Sequence, residues 1–233
     1  MERHLDHDLA RVRQLLLRMG GLVEGMIGGA MQALVERDEA HADAVISTDR
    51  EVDMMEKQID EECHTLLATR QPTASDMRFL VAVMKMETDL ERMGDSAVNI
   101  AQAVEILNTE PQLKPYIDLP RMAQIAREMV RDALDSFVSR NSEAALAVCK
   151  RDDEVDGLYK QLFRELLTFM MEDPKTVTRA LHLLLVARNL ERIADHATNV
   201  AEDVIYYVEG RDIRHSSDNT GEFPFSPGGA ASR

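Results

Sequence analysis

Leu90 to Ala101 reads LERMGDSAVNIA, and Leu190 to Ala201 reads LERIADHATNVA. The stretches stand one hundred positions apart and agree without a gap at Leu90/Leu190, Glu91/Glu191, Arg92/Arg192, Asp95/Asp195, Ala97/Ala197, Asn99/Asn199 and Ala101/Ala201. The chain is therefore a tandem duplication. A second match lies upstream: Ala42, Ala44, Val45, Asp49, Glu51, Val52 and Asp53 repeat as Ala145, Ala147, Val148, Asp152, Glu154, Val155 and Asp156 at an offset of 103, so a connection between elements differs by three residues. In both LER copies, Glu, Asp and Asn follow at steps of four, a spacing that a helix presents on one face. That polar row is the clue to function.

Composition agrees with helices. With 45% hydrophobic residues, 4% aromatics, no Trp and 14 Met, the core must be aliphatic and Met-filled, which suits an all-α bundle. A length of 233 residues accommodates two similar units. The net charge of −15 opposes binding to nucleic acid, whose phosphates would repel it, and no basic patch is segregated in the sequence. Cys63 and Cys149 form no CxxC and do not correspond between the copies, so they read as buried thiols of a reducing compartment. MERHLDHDLARVRQ at the N-terminus lacks an apolar core, and runs such as Leu183 to Ala187 fall far short of the roughly 18 residues that span a bilayer. A cytoplasmic protein without membrane insertion is expected.

Apolar periodicity predicts a first helix from Leu5 to about Val35. Gly20, Gly21, Gly25, Gly28 and Gly29 lie inside it, weakening it by about 1 kcal/mol each relative to Ala. Gly21, Gly25 and Gly29 stand at steps of four and offer bare backbone, either for packing inside the bundle or for contact between halves or subunits. Asp38 caps a second helix, Glu39 to Thr69, and Thr73 with Asp76 forms a capping box for a third that runs to about Leu107. Pro111 and Pro115 mark a linker over 108–118. A fourth helix starts at Asp118 to Pro120 and ends near Arg140, Asn141 caps a fifth to about Met171, and Asp173 with Pro174 opens a sixth to about Val208. The expected architecture is two tandem three-helix bundles, over 1–107 and 119–209, with a disordered tail over 210–233.

Each half thus carries two acidic pairs: Asp49/Asp53 with Glu91/Asp95, and Asp152/Asp156 with Glu191/Asp195. Antiparallel helices can bring them together, and Glu87 lengthens the first row. Like charges at this spacing repel, and a hard or borderline cation such as Mg, Mn, Ca or iron would relieve the repulsion. A solvated face neutralised by Arg92, Arg188 and Arg192 is the other reading. Of the histidines only His196 touches a repeat, opposite Ser96 in the first copy, so no shared histidine ligand exists and it reads as a stray surface residue. No GxSxG, phosphate-cradling Gly loop or HExxH occurs. A di-iron carboxylate enzyme needs two ExxH motifs. Only Glu61 to His64 supplies one, with Arg164 and Leu167 at its counterparts. A metal store is a further alternative.

RQPTASDMR (Arg70 to Arg78), LERMGD with LERIAD, DREVD with DDEVD, TFMMED (Thr168 to Asp173) and YYVEGRDIRH (Tyr206 to His215) together resemble the PhoU family of phosphate-uptake regulators, over roughly residues 10–215. The resemblance implies a cytoplasmic, non-enzymatic homodimer of paired three-helix bundles. It implies coupling of the phosphate ABC transporter, through its ATPase subunit, to a phosphate-sensing histidine kinase, and repression of the phosphate-starvation response when phosphate is plentiful. It also implies metal clusters at Glu91/Asp95 and Glu191/Asp195, with Asp49/Asp53 and Asp152/Asp156 as companions. The family commonly has Gly just before the Asp. This chain keeps Gly94 but has Ala194, whose methyl is expected to crowd the second site, while Glu202 and Asp203 are expected to compensate in charge.

Overall fold

The computed structural model describes residues 4–213. Among them the order is α1 (His4–Glu36), α2 (Glu39–Thr69), α3 (Ala74–Asn108), α4 (Asp118–Ser139), α5 (Ser142–Glu172) and α6 (Val177–Glu209). Side chains that satisfy orphan amides set the starts of α2, α3 and α5. Asp38 accepts from the Ala40 amide at 2.9 Å, and Asn141 accepts from Glu143 and Ala144 at 3.1 Å. Thr73 and Asp76 form the predicted capping box. The sixth helix differs from expectation, because Pro174–Thr176 forms a separate 3-10 turn capped by Asp173. Thr176 Oγ1 holds that turn against α5 by donating to Phe169 O at 2.8 Å. Gly210 closes α6 in the left-handed region at φ 69°. The tail expected to be disordered lies, from residue 214 on, outside the described residues.

The duplication survives in detail. Arg18 on α1 pairs with Glu51 on α2 at 2.5 Å, and 103 positions on, Arg121 on α4 pairs with Glu154 on α5 at 2.8 Å. Both pairs are exposed and contribute little energy, but they mark equivalent geometry. α1 and α3 of the first repeat pack against α4 and α6 of the second, while α2 and α5 touch only their own repeats. The buried side chains of both repeats join in one continuous core.

At the centre α3 and α6 run antiparallel. Asn99 Nδ2 donates to Asn189 Oδ1 at 3.4 Å, and the pseudo-equivalent contact is Asn199 Nδ2 to Asp89 Oδ1 at 3.2 Å. His196 Nδ1 also meets Asp89 Oδ1 at 2.8 Å, and Lys85 meets Asp203 at 3.5 Å. His196 is therefore not a stray surface residue but part of the joint between repeats.

The glycines of α1 divide. A Cβ on Gly20 would stand 2.2 Å from Leu134 Cδ1 on α4, and one on Gly29 would stand 3.0 Å from Val45 Cγ2 on α2. Gly21 and Gly25 have nothing within 4 Å of that position. A methyl at Gly20 would thus displace the Leu134 side chain where the repeats meet, whereas two of the three residues in the expected stripe border open space.

Candidate functional site: two acidic faces

In each repeat the two acidic pairs lie near enough across α2/α3 and across α5/α6 for their charges to act on one another, although no three of their ligand atoms lie within 4.8 Å of one another. In the first repeat, partial burial and then the Asp53 and Asp95 carboxylates raise the pKa of Asp49. Burial, Asp95, Glu56 and Asp53 raise that of Glu91, opposed by Arg92. Carboxylates felt across the groove as well as along one helix show that the four groups share one face. Glu87 lies deeper, 3% exposed, and burial with Asp60 and Glu56 beside it pushes its carboxyl up to about 8. One of its oxygens, Oε2, is buried without a hydrogen-bond partner.

The second face is the duplicate with a different charge balance. Burial and the neighbouring Asp195, Asp156 and Glu191 push Asp152 up to about 6, and its Oδ1 is buried without a hydrogen-bond partner. Burial and Asp195 raise Glu191, whose Oε2 is likewise orphaned while Oε1 accepts from Arg188. Burial and Asp156 raise Asp195, and Arg188, His196 and Arg192 oppose them. Lys160 pairs with Asp156 at 2.9 Å. At the equivalents of Glu56 and Glu87 stand Tyr159 and Ala187. The first face is therefore the more acidic and the less neutralised.

Three expectations about these faces change. A methyl at position 94 would make ordinary contacts, 3.5 Å to Val52 Cγ1 and 3.7 Å to both Asp49 Oδ1 and Met26 Cε, so the protein atoms of the first copy leave room for the methyl that Ala194 carries at the equivalent position. The first face differs in its charges, not in the space beside its glycine. The Glu–Asp–Asn row also splits: Asn99 and Asn199 join the α3/α6 joint instead of the acidic faces. Asp203 belongs to that joint too, beside Lys85, and does not reinforce the second face.

The donor set is all carboxylate oxygen, the chemistry of hard and borderline cations. Three buried oxygens without hydrogen-bond partners, on Glu87, Asp152 and Glu191, fit a cation there. Three ligand atoms within 4.8 Å of one another occur elsewhere among the described residues, at Glu36, Asp38 and His41. Sequence reasoning passed over that trio. Asp38 there is engaged as the α2 cap and bonds His41 Nδ1 at 2.8 Å, which accounts for the cluster without a ligand.

Other sequence candidates fall away from these faces. Glu61 and His64 are exposed on α2, and His64 Nδ1 meets Asp60 O at 3.1 Å, so the ExxH pair lies on the solvent side. Burial pushes the Cys63 thiol up to about 12 and the half-buried Cys149 thiol to about 11, leaving both unreactive as thiolates. No helix among the described residues is long and apolar enough to cross a membrane.

The PhoU domain family model matches residues 16–104 and 119–204, one match per repeat. A phosphate-specific transport system accessory protein PhoU homolog of Pseudomonas putida is 43% identical over 216 residues, spanning 92% of this chain and 84% of its own. A homolog of the same description from Clostridium acetobutylicum is 41% identical over 209 residues, spanning 89% and 95%. The crystal structure of PhoU from Pseudomonas aeruginosa has a TM-score of 0.87 at 42% identity, over 89% of this chain and all of that one. The phosphate transport system regulatory protein PhoU from Streptococcus pneumoniae has a TM-score of 0.83 at 30% identity, over 89% and 98%.

Proposed function

The chain belongs to the PhoU family, and from that premise we propose that it is a regulator of phosphate homeostasis. It acts in the cytoplasm as a homodimer, couples the phosphate ABC transporter to a sensor histidine kinase, and restrains the phosphate-starvation response when phosphate is plentiful. The observation that carries this reading is the match of both repeats, across about nine-tenths of the chain, to accessory proteins of phosphate-specific transport. Its work is binding rather than catalysis.

Within this reading the acidic faces hold divalent or iron-type cations, with Asp49, Asp53, Glu91 and Asp95 on one and Asp152, Asp156, Glu191 and Asp195 on the other. Such a cation would supply charge neutralisation, fixing α2 against α3 and α5 against α6. The protein's own contribution is to bury part of the carboxylates so that few waters compete for them. The orphaned oxygens on Glu87, Asp152 and Glu191 support this over a merely solvated face.

Affinity purification of the tagged chain from cells grown in high phosphate tests the regulatory reading. The transporter ATPase subunit or the kinase should co-purify in reciprocal pulldowns. Recovery of neither, with both partners expressed, would count against the coupling.

A further inference from the structure

A cleft of about 510 Å³ between α1 and α4 balances Arg127 and Arg131 against Glu24, Glu36 and Glu128. A smaller cavity of about 180 Å³ does not balance. It lies where the repeats meet, and its lining includes Arg13 from α1, Arg78 from α3 and Arg140 after α4, against one acid, Asp76. That acid is committed to the helix cap, since Asp76 Oδ2 accepts from Thr73 N at 2.9 Å and from Thr73 Oγ1 at 2.8 Å. In a chain of net charge −15, three arginines line one partly open cavity. Two stretches that carry the family resemblance, RQPTASDMR and YYVEG, contribute Ser75, Asp76, Arg78 and Tyr207 to it, and the acidic faces give them no role.

Aromatic faces hold two of these cations. The Arg13 guanidinium lies 5.3 Å from the Phe79 ring centroid and 6.0 Å from that of Phe137, and Arg140 lies 5.4 Å from Tyr207. Stacking of this kind leaves the N–H edges for an acceptor. Yet the Nε atoms of Arg13 and Arg78 are buried without a hydrogen-bond partner.

The duplication provides an internal comparison. Arg37 and Arg140 are equivalent at the offset of 103, and both hold the left-handed conformation, at φ 58° and 52°, which costs a non-glycine residue roughly 1 kcal/mol. Arg37 Nη2 donates to the carbonyls of Leu107, Asn108 and Glu110 at 3.1, 3.0 and 2.7 Å. Arg140 has no such carbonyl set among the described residues and faces the cavity instead.

We propose that this cavity binds a small oxyanion of the phosphate or sulfate type, free or carried on a small molecule. Arg13, Arg78 and Arg140 hold it, Ser75 adds a hydroxyl donor, and the positive end of α3 adds its field. Because the lining comes from both repeats, the bound anion ties one to the other. The site does not depend on the regulatory reading.

Isothermal titration of the intact chain with inorganic phosphate, sulfate and glycerol phosphate, at ionic strength fixed by chloride, tests it. Saturable binding of at least one oxyanion is expected. Preference for the free ions or for glycerol phosphate identifies the source, and either supports the site. Arg78→Gln and Arg140→Gln should each weaken binding by at least about tenfold, as expected for loss of a charge-assisted hydrogen bond, while Arg127→Gln in the larger cleft should not. Circular dichroism of each variant checks that the helices persist. Absence of saturable binding for all three oxyanions, or unchanged affinity in folded Arg78→Gln and Arg140→Gln, would overturn the proposal.

Discussion

At Glu87 the cost of the acidic face concentrates in one side chain. Its carboxyl titrates near 8 in the folded protein against an ordinary value of 4.5, so between those values the native state holds more protons than the unfolded chain. Stability therefore falls as pH rises through that window and levels off above it. Asp152, moved from 3.8 to about 6, adds a slope of the same sign. The chelator-treated protein should lose on the order of a few kcal/mol of stability between about pH 4.5 and about pH 8. Added Mn or Mg should recover much of it at the upper end, because ligation favours the ionised carboxylates. Denaturant midpoints measured across pH, with and without metal, check both parts. Glu91→Ala with Asp95→Ala should abolish the metal response of the first face and reduce bound metal in elemental analysis. A metal-free profile that rises with pH would contradict the electrostatic account, and absence of a metal response would reduce the faces to solvated ones.

At the scale of elements, capping chemistry made half of the helix starts legible, because Asp38, Thr73 with Asp76, and Asn141 act through residues two or three positions away. The acidic pairs were legible for the same reason, their spacing of four being a local property. Positions that depend on the facing helix were not. Each step of four over-rotates by about 40°, so Asn99 and Asn199, two steps beyond Glu91 and Glu191, leave the acidic face and reach the α3/α6 joint. His196 looked solitary because its partner Asp89 lies 107 positions away. Likewise, no periodicity distinguishes Gly20, which faces Leu134, from Gly25, which faces open space. Gly25→Ala should therefore raise stability by about 1 kcal/mol through helix propensity alone, and Gly20→Val should lower it by about 1–3 kcal/mol through overpacking. Urea denaturation of both variants decides. Destabilisation by Gly25→Ala would mean that a second copy covers that stretch of α1.

Across the whole molecule, duplication gives two similar bundles one continuous core, and unequal charges distinguish their acidic faces. The first repeat bears the more acidic outer face, and the arginine cavity lies at the shared end. This arrangement suits a protein whose output is contact with others, and the proposed regulatory role is its central claim. The most direct test is a phosphate-starvation reporter in cells grown in high phosphate, with the gene for this chain deleted and then restored. The account predicts that deletion turns the reporter on and that the restored chain turns it off; a reporter that stays silent after deletion would contradict it.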